Sequence, residues 1–195
     1  STRLRSMPGP ATQRLVQHLL AAWPQAQVVL TQPLAMQHPR LLDLSADITD
    51  ADRLAALVAL ADGLIGVDTY TQHLADATST PAVTLYTSVS PGLYPYYPLG
   101  ESVLLPGAQA LPAWGKMKIE LKEWARVAAA YEAAWQALDP GAVLAALQGA
   151  LARKAGRPAE WAPRSPPAPA ATAPRTRTVG AGEAAVELPF RQRDD

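Results

Sequence analysis

The sequence lacks cysteine altogether, and this absence excludes a group of chemistries. Without thiols there are no disulfide bonds, no thiolate metal sites and no cysteine nucleophile. Lys plus Arg and Asp plus Glu both number 17, so the chain lacks the excess positive charge that a general nucleic-acid surface needs. It also lacks a secretory signal pattern and any run of roughly 18 to 20 apolar residues that could span a bilayer. We therefore expect a soluble protein without a transmembrane segment and without a nucleic-acid partner.

About half of the residues, 49%, are apolar, which is enough to form a core. Short apolar runs predict strands, and amphipathic spacing predicts helices between them. The predicted strands are 27–30, 41–44, 64–67, 82–86 and 102–105; the predicted helices are 12–23, 71–78, 116–138, 140–154 and one that is capped by Thr49 and ends at Gly63. This alternation predicts an α/β protein with a doubly wound parallel sheet and right-handed crossovers, followed by C-terminal helices.

The composition changes after the last predicted helix. Residues 156–195 are rich in Pro, Ala, Arg and Thr and contain few large apolar residues. Such a segment cannot offset the entropy cost of ordering, so we predict one domain over residues 1–155 and a disordered tail over residues 156–195. The chain also enters its first helix with no strand before it, which we expect of a fragment of a larger chain.

Polar side chains follow the predicted strand 64–67, at the kind of strand end where an α/β sheet binds its ligands. Asp68 comes first, and its carboxylate would either accept hydrogen bonds from sugar or ribose hydroxyls or cap the next helix. The N-terminus of that helix favours a diphosphate through its backbone N–H groups. The polar residues around it are Thr69, Thr71, Gln72 and His73. Four tyrosines in or after the next strand either stack on a ligand or pack a long loop: Tyr86, Tyr94, Tyr96 and Tyr97.

Two further classes of site find little support in the sequence. The histidines, His18, His38 and His73, are scattered, so we predict no metal site. No Gly-x-Gly-x-x-Gly follows a predicted strand, which argues against a nicotinamide or flavin dehydrogenase. We therefore expect no cofactor.

The segment from Val67 to Tyr86 resembles a known family. It contains the run VDTYTQHLADA (67–77), then Pro81 and the apolar strand 82–86. This order is similar to the donor-site motif of the bacterial lipopolysaccharide heptosyltransferases, glycosyltransferase family nine. That motif reads Asp, Thr or Ser, Gly, two residues, His, then alternate alanines, with Pro and an apolar strand shortly after. The resemblance extends from residue 1 to about residue 107 and is less specific up to residue 154.

The resemblance implies the C-terminal half of a two-domain GT-B enzyme, a Rossmann-like domain that binds a nucleotide-diphosphate sugar such as ADP-heptose. It implies that Asp68 binds sugar hydroxyls and that residues 69–73 border the diphosphate. Near the chain start, hydroxyls would donate to phosphate and Arg5 would neutralise it, although a polar chain end is also simply solvated in many proteins. The implied donor-binding residues are Ser1, Thr2, Arg5, Asp68, Thr69, Tyr70, Thr71, Gln72, His73 and Thr87.

The same resemblance implies partners outside the printed sequence. A missing N-terminal domain of the same chain would hold the catalytic base and the acceptor, a glycan or a lipid-linked molecule of the lipopolysaccharide type. The transfer would be inverting and would need no metal. The implied location is the bacterial cytoplasm, with at most a peripheral contact to the inner face of the membrane.

Two positions depart from the family pattern. Tyr70 stands where the motif has glycine, so its side chain restricts close approach of a donor to the backbone. The strand 82–86 leads into Thr87-Ser88-Val89 where the family usually has Gly-Pro-Thr. These departures favour an alternative, a degenerate and non-catalytic Rossmann-like module that serves as an interaction or scaffold unit.

Overall fold

The computed structural model describes residues 2–93 and 97–156, together with the backbone of two short strands, 176–179 and 186–189. The chain divides into two compact units, Ser1–Arg157 and Pro158–Asp195. In the second unit, β6 (Thr176–Val179) pairs antiparallel with β7 (Val186–Pro189). The predicted disordered tail otherwise falls on residues that lie outside the described ones.

The described residues of the first unit form five strands in two parallel sheets. In the smaller sheet, β1 (Val28–Leu30) pairs with β2 (Leu41–Asp43). The larger sheet has the order β3 (Leu64–Val67), β4 (Ala82–Tyr86) and β5 (Gly100–Leu104). Every residue of β4 is buried, which explains its unbroken run of apolar and β-branched side chains. The predicted α/β class is confirmed, but the described strands form two sheets instead of the expected continuous one.

Helices cover both faces of the larger sheet, as a doubly wound fold requires. The α-helices in the described ranges are α1 (Gly9–Ala22), α2 (Ala51–Leu60), α3 (Thr71–Ala77), α4 (Leu121–Gln136) and α5 (Pro140–Ala155). On one face, Val83 and Leu85 of β4 belong to the main core with side chains of α1 and α5. On the other face, Ala82 packs with side chains of α2 and α3. Alternate residues of one strand thus serve two helical layers.

The ends of α2 differ from the sequence prediction. The N-cap is Asp50 and not Thr49, and its carboxylate accepts a hydrogen bond from the backbone N–H of Arg53 at 2.8 Å. At the other end the helix stops at Leu60, with Ala61 as an extended C-cap, so Gly63 does not terminate it. Instead, a Cβ at Gly63 would lie 3.0 Å from Leu147 Cδ1 of α5. Gly63 therefore allows close packing of α5.

Of the two C-terminal helices, α4 begins later than predicted and α5 begins at the predicted residue. The helix predicted from residue 116 starts at Leu121, since the backbone N–H of Glu120 donates to the Glu123 carboxylate at 3.0 Å and fixes the helix start there. That hydrogen bond and the nearby Lys116 ammonium lower the pKa of Glu123. Pro140 opens α5, as predicted, with Asp139 as the N-cap.

Candidate functional site

The carboxyl ends of β3 and β4 meet a short 3₁₀ turn, Thr2–Arg5. Asp68 follows β3 directly and Thr87 follows β4 directly, and both side chains are fully buried. Both residues are hydrogen-bonded to the turn, Asp68 to Arg5 and Thr87 to Leu4. The structure therefore brings together three of the predicted donor-site positions, Arg5, Asp68 and Thr87, from distant parts of the chain.

Arg5 binds Asp68 through two kinds of contact. Its Nη1 donates to the backbone carbonyl of Asp68 at 2.7 Å and lies 3.9 Å from the carboxylate Oδ2. The Arg5 side chain is 15% exposed and that of Asp68 is 0% exposed. Arg5 Nε is buried and has no hydrogen-bond partner among the described residues. The guanidinium therefore compensates a buried negative charge, while its Nε–H donates no hydrogen bond within the described structure.

A second hydrogen bond fixes the turn to β4. The Thr87 hydroxyl donates to the backbone carbonyl of Leu4 at 2.5 Å. The Leu4 side chain is fully buried in a separate apolar cluster with Ala113, Ile119 and Tyr131. The turn is therefore an integral part of the packed domain. The polar sequence around it contained no signal for this beyond one isolated leucine.

The accessible part of the site is the short connection between β3 and α3. The hydroxyls of Thr69 and Thr71 lie 2.8 Å apart and are partly buried, while Tyr70 is 53% exposed. Tyr70 is the N-cap of α3 and makes no side-chain capping hydrogen bond. Asp68 therefore does not cap α3, which was one of the two roles that the sequence allowed for it. The backbone N–H groups of Gln72 and His73 already donate to the carbonyls of Thr69 and Tyr70.

Two predicted site residues make their contacts away from Arg5 and Asp68. The hydroxyl of Tyr86 donates to Gln72 Oε1 at 2.8 Å, and Gln72 is buried. His73 Nδ1 shares a hydrogen bond with the Tyr97 hydroxyl, and the two rings meet edge to face. These two tyrosines thus pack within the domain. Tyr94 and Tyr96 lie outside the described residues, as do Ser1 and the side chain of Thr2.

A small cavity lies beside these contacts, between α3 and the β4–β5 part of the sheet. Its lining includes Gln72, Asp76, Thr84 and Tyr97. Its volume of about 10 Å³ has room for about one water molecule. It is therefore too small for a sugar nucleotide, and a ligand of that size needs the open surface at Thr69–Thr71.

The sequence placed Ser88 at the end of a strand but gave no sign of its burial or of its contact with Gly115. Ser88 is fully buried, and its hydroxyl has no hydrogen-bond partner among the described residues. Its backbone carbonyl accepts from the N–H of Gly115 at 2.6 Å. Gly115 has a φ of +84°, a conformation that favours glycine. No local pattern in the sequence links these two distant positions.

The described ranges show no metal centre and no membrane-spanning helix. Within them, no three or more His, Asp or Glu side chains cluster as metal ligands would. Asp50 and Asp52 do form an Asp-x-Asp triplet, but it lies at the start of α2, where Asp50 caps the helix. None of the helices described is both long and apolar enough to cross a bilayer.

One part of the chain is similar to a known protein family. Residues 37–123 match the model of glycosyltransferase family 9 (heptosyltransferase). No curated protein and no solved structure matches the chain. The matched region runs from the loop before β2 into α4 and includes Asp68–His73 and Thr87, whereas Arg5 lies before it. Over residues 37–123 the chain is therefore similar to glycosyltransferase family 9, the heptosyltransferases.

Proposed function

We propose that residues 1–155 form the donor-binding half of a glycosyltransferase that uses a nucleotide-diphosphate sugar of the ADP-heptose type. The observation that carries this proposal is the Arg5–Asp68 contact at the carboxyl end of β3, beside the partly buried hydroxyls of Thr69 and Thr71. A cation held at a strand end next to hydroxyl donors suits a diphosphate. The family match supports the general activity, sugar transfer.

The chain's own residues divide the work as follows. Asp68 is a positioning residue, because its buried carboxylate and carbonyl hold the guanidinium of Arg5 in place. The partly buried hydroxyls of Thr69 and Thr71 are the proposed donors to diphosphate oxygens, whereas the Nε–H of Arg5 is buried. As the bond to the anomeric carbon breaks, negative charge develops on the departing diphosphate, and these fixed donors stabilise it electrostatically.

The rest of the reaction belongs to the other half of the proposed enzyme. There a carboxylate would take the proton of the acceptor hydroxyl. The oxygen of that hydroxyl would attack the anomeric carbon directly and invert its configuration. The acceptor would be a glycan or a lipid-linked molecule of the lipopolysaccharide type. The proposal includes a cytoplasmic location, at the inner face of the membrane where such an acceptor would be reached.

The test is titration calorimetry of the full-length protein with ADP-, UDP- and GDP-sugars. We expect one of them to bind with a submillimolar Kd. The double variant Thr69→Ala/Thr71→Ala should weaken that binding about fivefold, because it removes two donors worth about 1 kcal/mol together once water competes for them. The two hydroxyls contact each other, so removing both leaves no unpaired partner between them.

The matched control is Thr31→Ala, which removes an exposed threonine from the loop after β1. It should leave the Kd unchanged. The proposal is wrong if no nucleotide sugar binds at millimolar concentration, or if the double variant and the control bind equally well.

One observation favours the second candidate, a non-catalytic interaction module. Thr87 and Ser88, which replace the family's usual turn, are fully buried, and the Thr87 hydroxyl already donates to the backbone carbonyl of Leu4. Tyr70 covers the position where the family has glycine. If Tyr70→Gly restores nucleotide-sugar binding to a protein that otherwise binds none, the module is a degenerate donor domain.

A further inference from the structure

The small cavity between α3 and the β4–β5 part of the sheet is lined by a buried amide group. Gln72 lines the cavity and is only 4% exposed. Its Nε2 atom is buried and forms no hydrogen bond with any of the described residues. Buried side-chain amides are hydrogen-bonded in the large majority of proteins, because an unpaired donor loses its bond to solvent and gains none in exchange. The Nε2 donor of Gln72 therefore requires an acceptor within the cavity.

The orientation of this amide is fixed by a residue of β4. The hydroxyl of Tyr86 donates to Gln72 Oε1 at 2.8 Å, and Tyr86 is itself only 2% exposed. Because the amide oxygen is occupied by this donor, the NH₂ group is the end of the amide that is left to bond a ligand. Gln72 thus offers the cavity a hydrogen-bond donor.

The other polar residues that line the cavity carry a carboxylate or hydroxyls. Asp76 lies four residues after Gln72 and so shares one face of α3 with it. Thr84 of β4, which is 7% exposed, and Tyr97, just before β5, carry hydroxyls. A carboxylate accepts hydrogen bonds and donates none. A ligand of this cavity must therefore accept a hydrogen bond from Gln72 and be able to donate one to Asp76.

This combination of a donor and an acceptor decides the class of ligand. A cation would face the NH₂ group of Gln72, which cannot coordinate it. An anion would face the Asp76 carboxylate and be repelled. The cavity volume of about 10 Å³ has room for one molecule of the size of water. Water both accepts and donates hydrogen bonds, so it satisfies the volume and the two polar groups together.

We propose that the cavity binds one ordered water molecule, which accepts a hydrogen bond from Gln72 Nε2 and donates one to the Asp76 carboxylate. Its second proton is directed to the hydroxyl-bearing wall, to which β4 contributes Thr84. The water thereby connects α3 to the sheet. Gln72 stands between Thr71 and His73, so this connection stiffens the first turn of α3 at the edge of the candidate site. The inference does not rest on sugar-nucleotide binding.

The first test counts long-lived internal waters by ¹⁷O magnetic relaxation dispersion, which responds to whole water molecules and not to exchanging protons. The variant Gln72→Met removes the NH₂ group and keeps the length of the side chain, and it should contain one long-lived water fewer than the parent protein. The matched control is Tyr86→Phe. It breaks the same hydrogen bond between Tyr86 and Gln72 but keeps Nε2, so it should retain the parent's number of long-lived waters.

A crystal structure of the parent protein is the second test, and it depends on no variant. We expect electron density for one water within hydrogen-bond distance of both Gln72 Nε2 and the Asp76 carboxylate. The proposal is overturned if the cavity shows no density, if an ion occupies it, or if Nε2 bonds directly to a protein group. It is also overturned if Gln72→Met retains the parent's number of long-lived waters, or if Tyr86→Phe loses one.

Discussion

Replacing Arg5 with methionine is expected to destabilise the domain strongly, because it leaves the buried Asp68 carboxylate without its cation. Removing one partner of a fully buried ion pair typically costs about 3 to 5 kcal/mol. Arg5 is 15% exposed and its Nη1 lies 3.9 Å from the carboxylate, so the low end applies, about 3 kcal/mol. Loss of the 2.7 Å hydrogen bond to the Asp68 carbonyl is part of that figure. For a domain of this size the melting temperature should fall by about 6 to 12 °C.

A double-mutant cycle separates the charge from the hydrogen bond. In Arg5→Met/Asp68→Asn the buried charge is gone and the hydrogen bond from Arg5 is lost, so we expect a loss of about 1.5 kcal/mol. The second substitution should therefore restore about 1.5 kcal/mol to the first. Urea unfolding followed by circular dichroism measures all three variants against the parent.

Arg14→Met provides the matched control. Arg14 also donates to backbone carbonyls, those of Trp135 and Gln136, but no carboxylate pairs with it in the described structure. It should cost about 1 kcal/mol, with no coupling to Asp68→Asn. The account of the site is refuted if Arg5→Met costs less than about 0.5 kcal/mol, or if Asp68→Asn does not relieve its effect.

Two further predictions concern the packing around the site. Gly63→Ala should lower the free energy of unfolding, measured in urea, by about 1 kcal/mol, because its Cβ would lie 3.0 Å from Leu147 Cδ1. The control is Gly9→Ala, whose Cβ would meet no atom within 4 Å, so it should cost nothing or stabilise α1. Equal effects of the two substitutions would contradict the close packing at Gly63. Burial raises the pKa of Tyr131 above its ordinary value of 10.0, so its contribution to stability is complete below that pH and is lost as the pH rises through the folded-state pKa. Unfolding free energies across that range should fall less steeply for Tyr131→Phe than for the parent, and identical slopes would contradict the effect.

Local signals in the sequence predicted most of the secondary structure. β3 and β4 are found at the predicted residues because each is a short apolar run bounded by turn residues. Helix ends were less well predicted, because the local backbone geometry decides whether a side chain caps the helix or faces solvent. Thr49 and Asp50 are both good capping residues, and only the backbone of the folded chain selects Asp50.

Contacts between distant residues could not be predicted in the same way. The sequence placed Asp68 at a strand end, but it contained no sign that Arg5 would bind the Asp68 carbonyl. Nor could it show that Gln72 and His73 contact Tyr86 and Tyr97. Helical spacing fixes which residues share a turn, whereas the side of the helix that meets the sheet depends on the packing of the whole layer.

Strand pairing, like helix ends and contacts between distant residues, could be predicted only in part from the sequence. Alternating strands and helices predicted a parallel sheet, and this is confirmed. The division into two sheets was not foreseen, because pairing partners depend on the strand order, which joins residues far apart in the chain.

The most direct test of the central claim is an NMR titration of the ¹⁵N-labelled full-length protein with ADP-heptose. If the donor site lies at the carboxyl ends of β3 and β4, saturable shift changes should appear at Arg5 and at Asp68–Thr71, and should be lost in Thr69→Ala/Thr71→Ala. Shift changes confined to the small cavity at Asp76 and Thr84, or no saturable change at millimolar ligand, would contradict it.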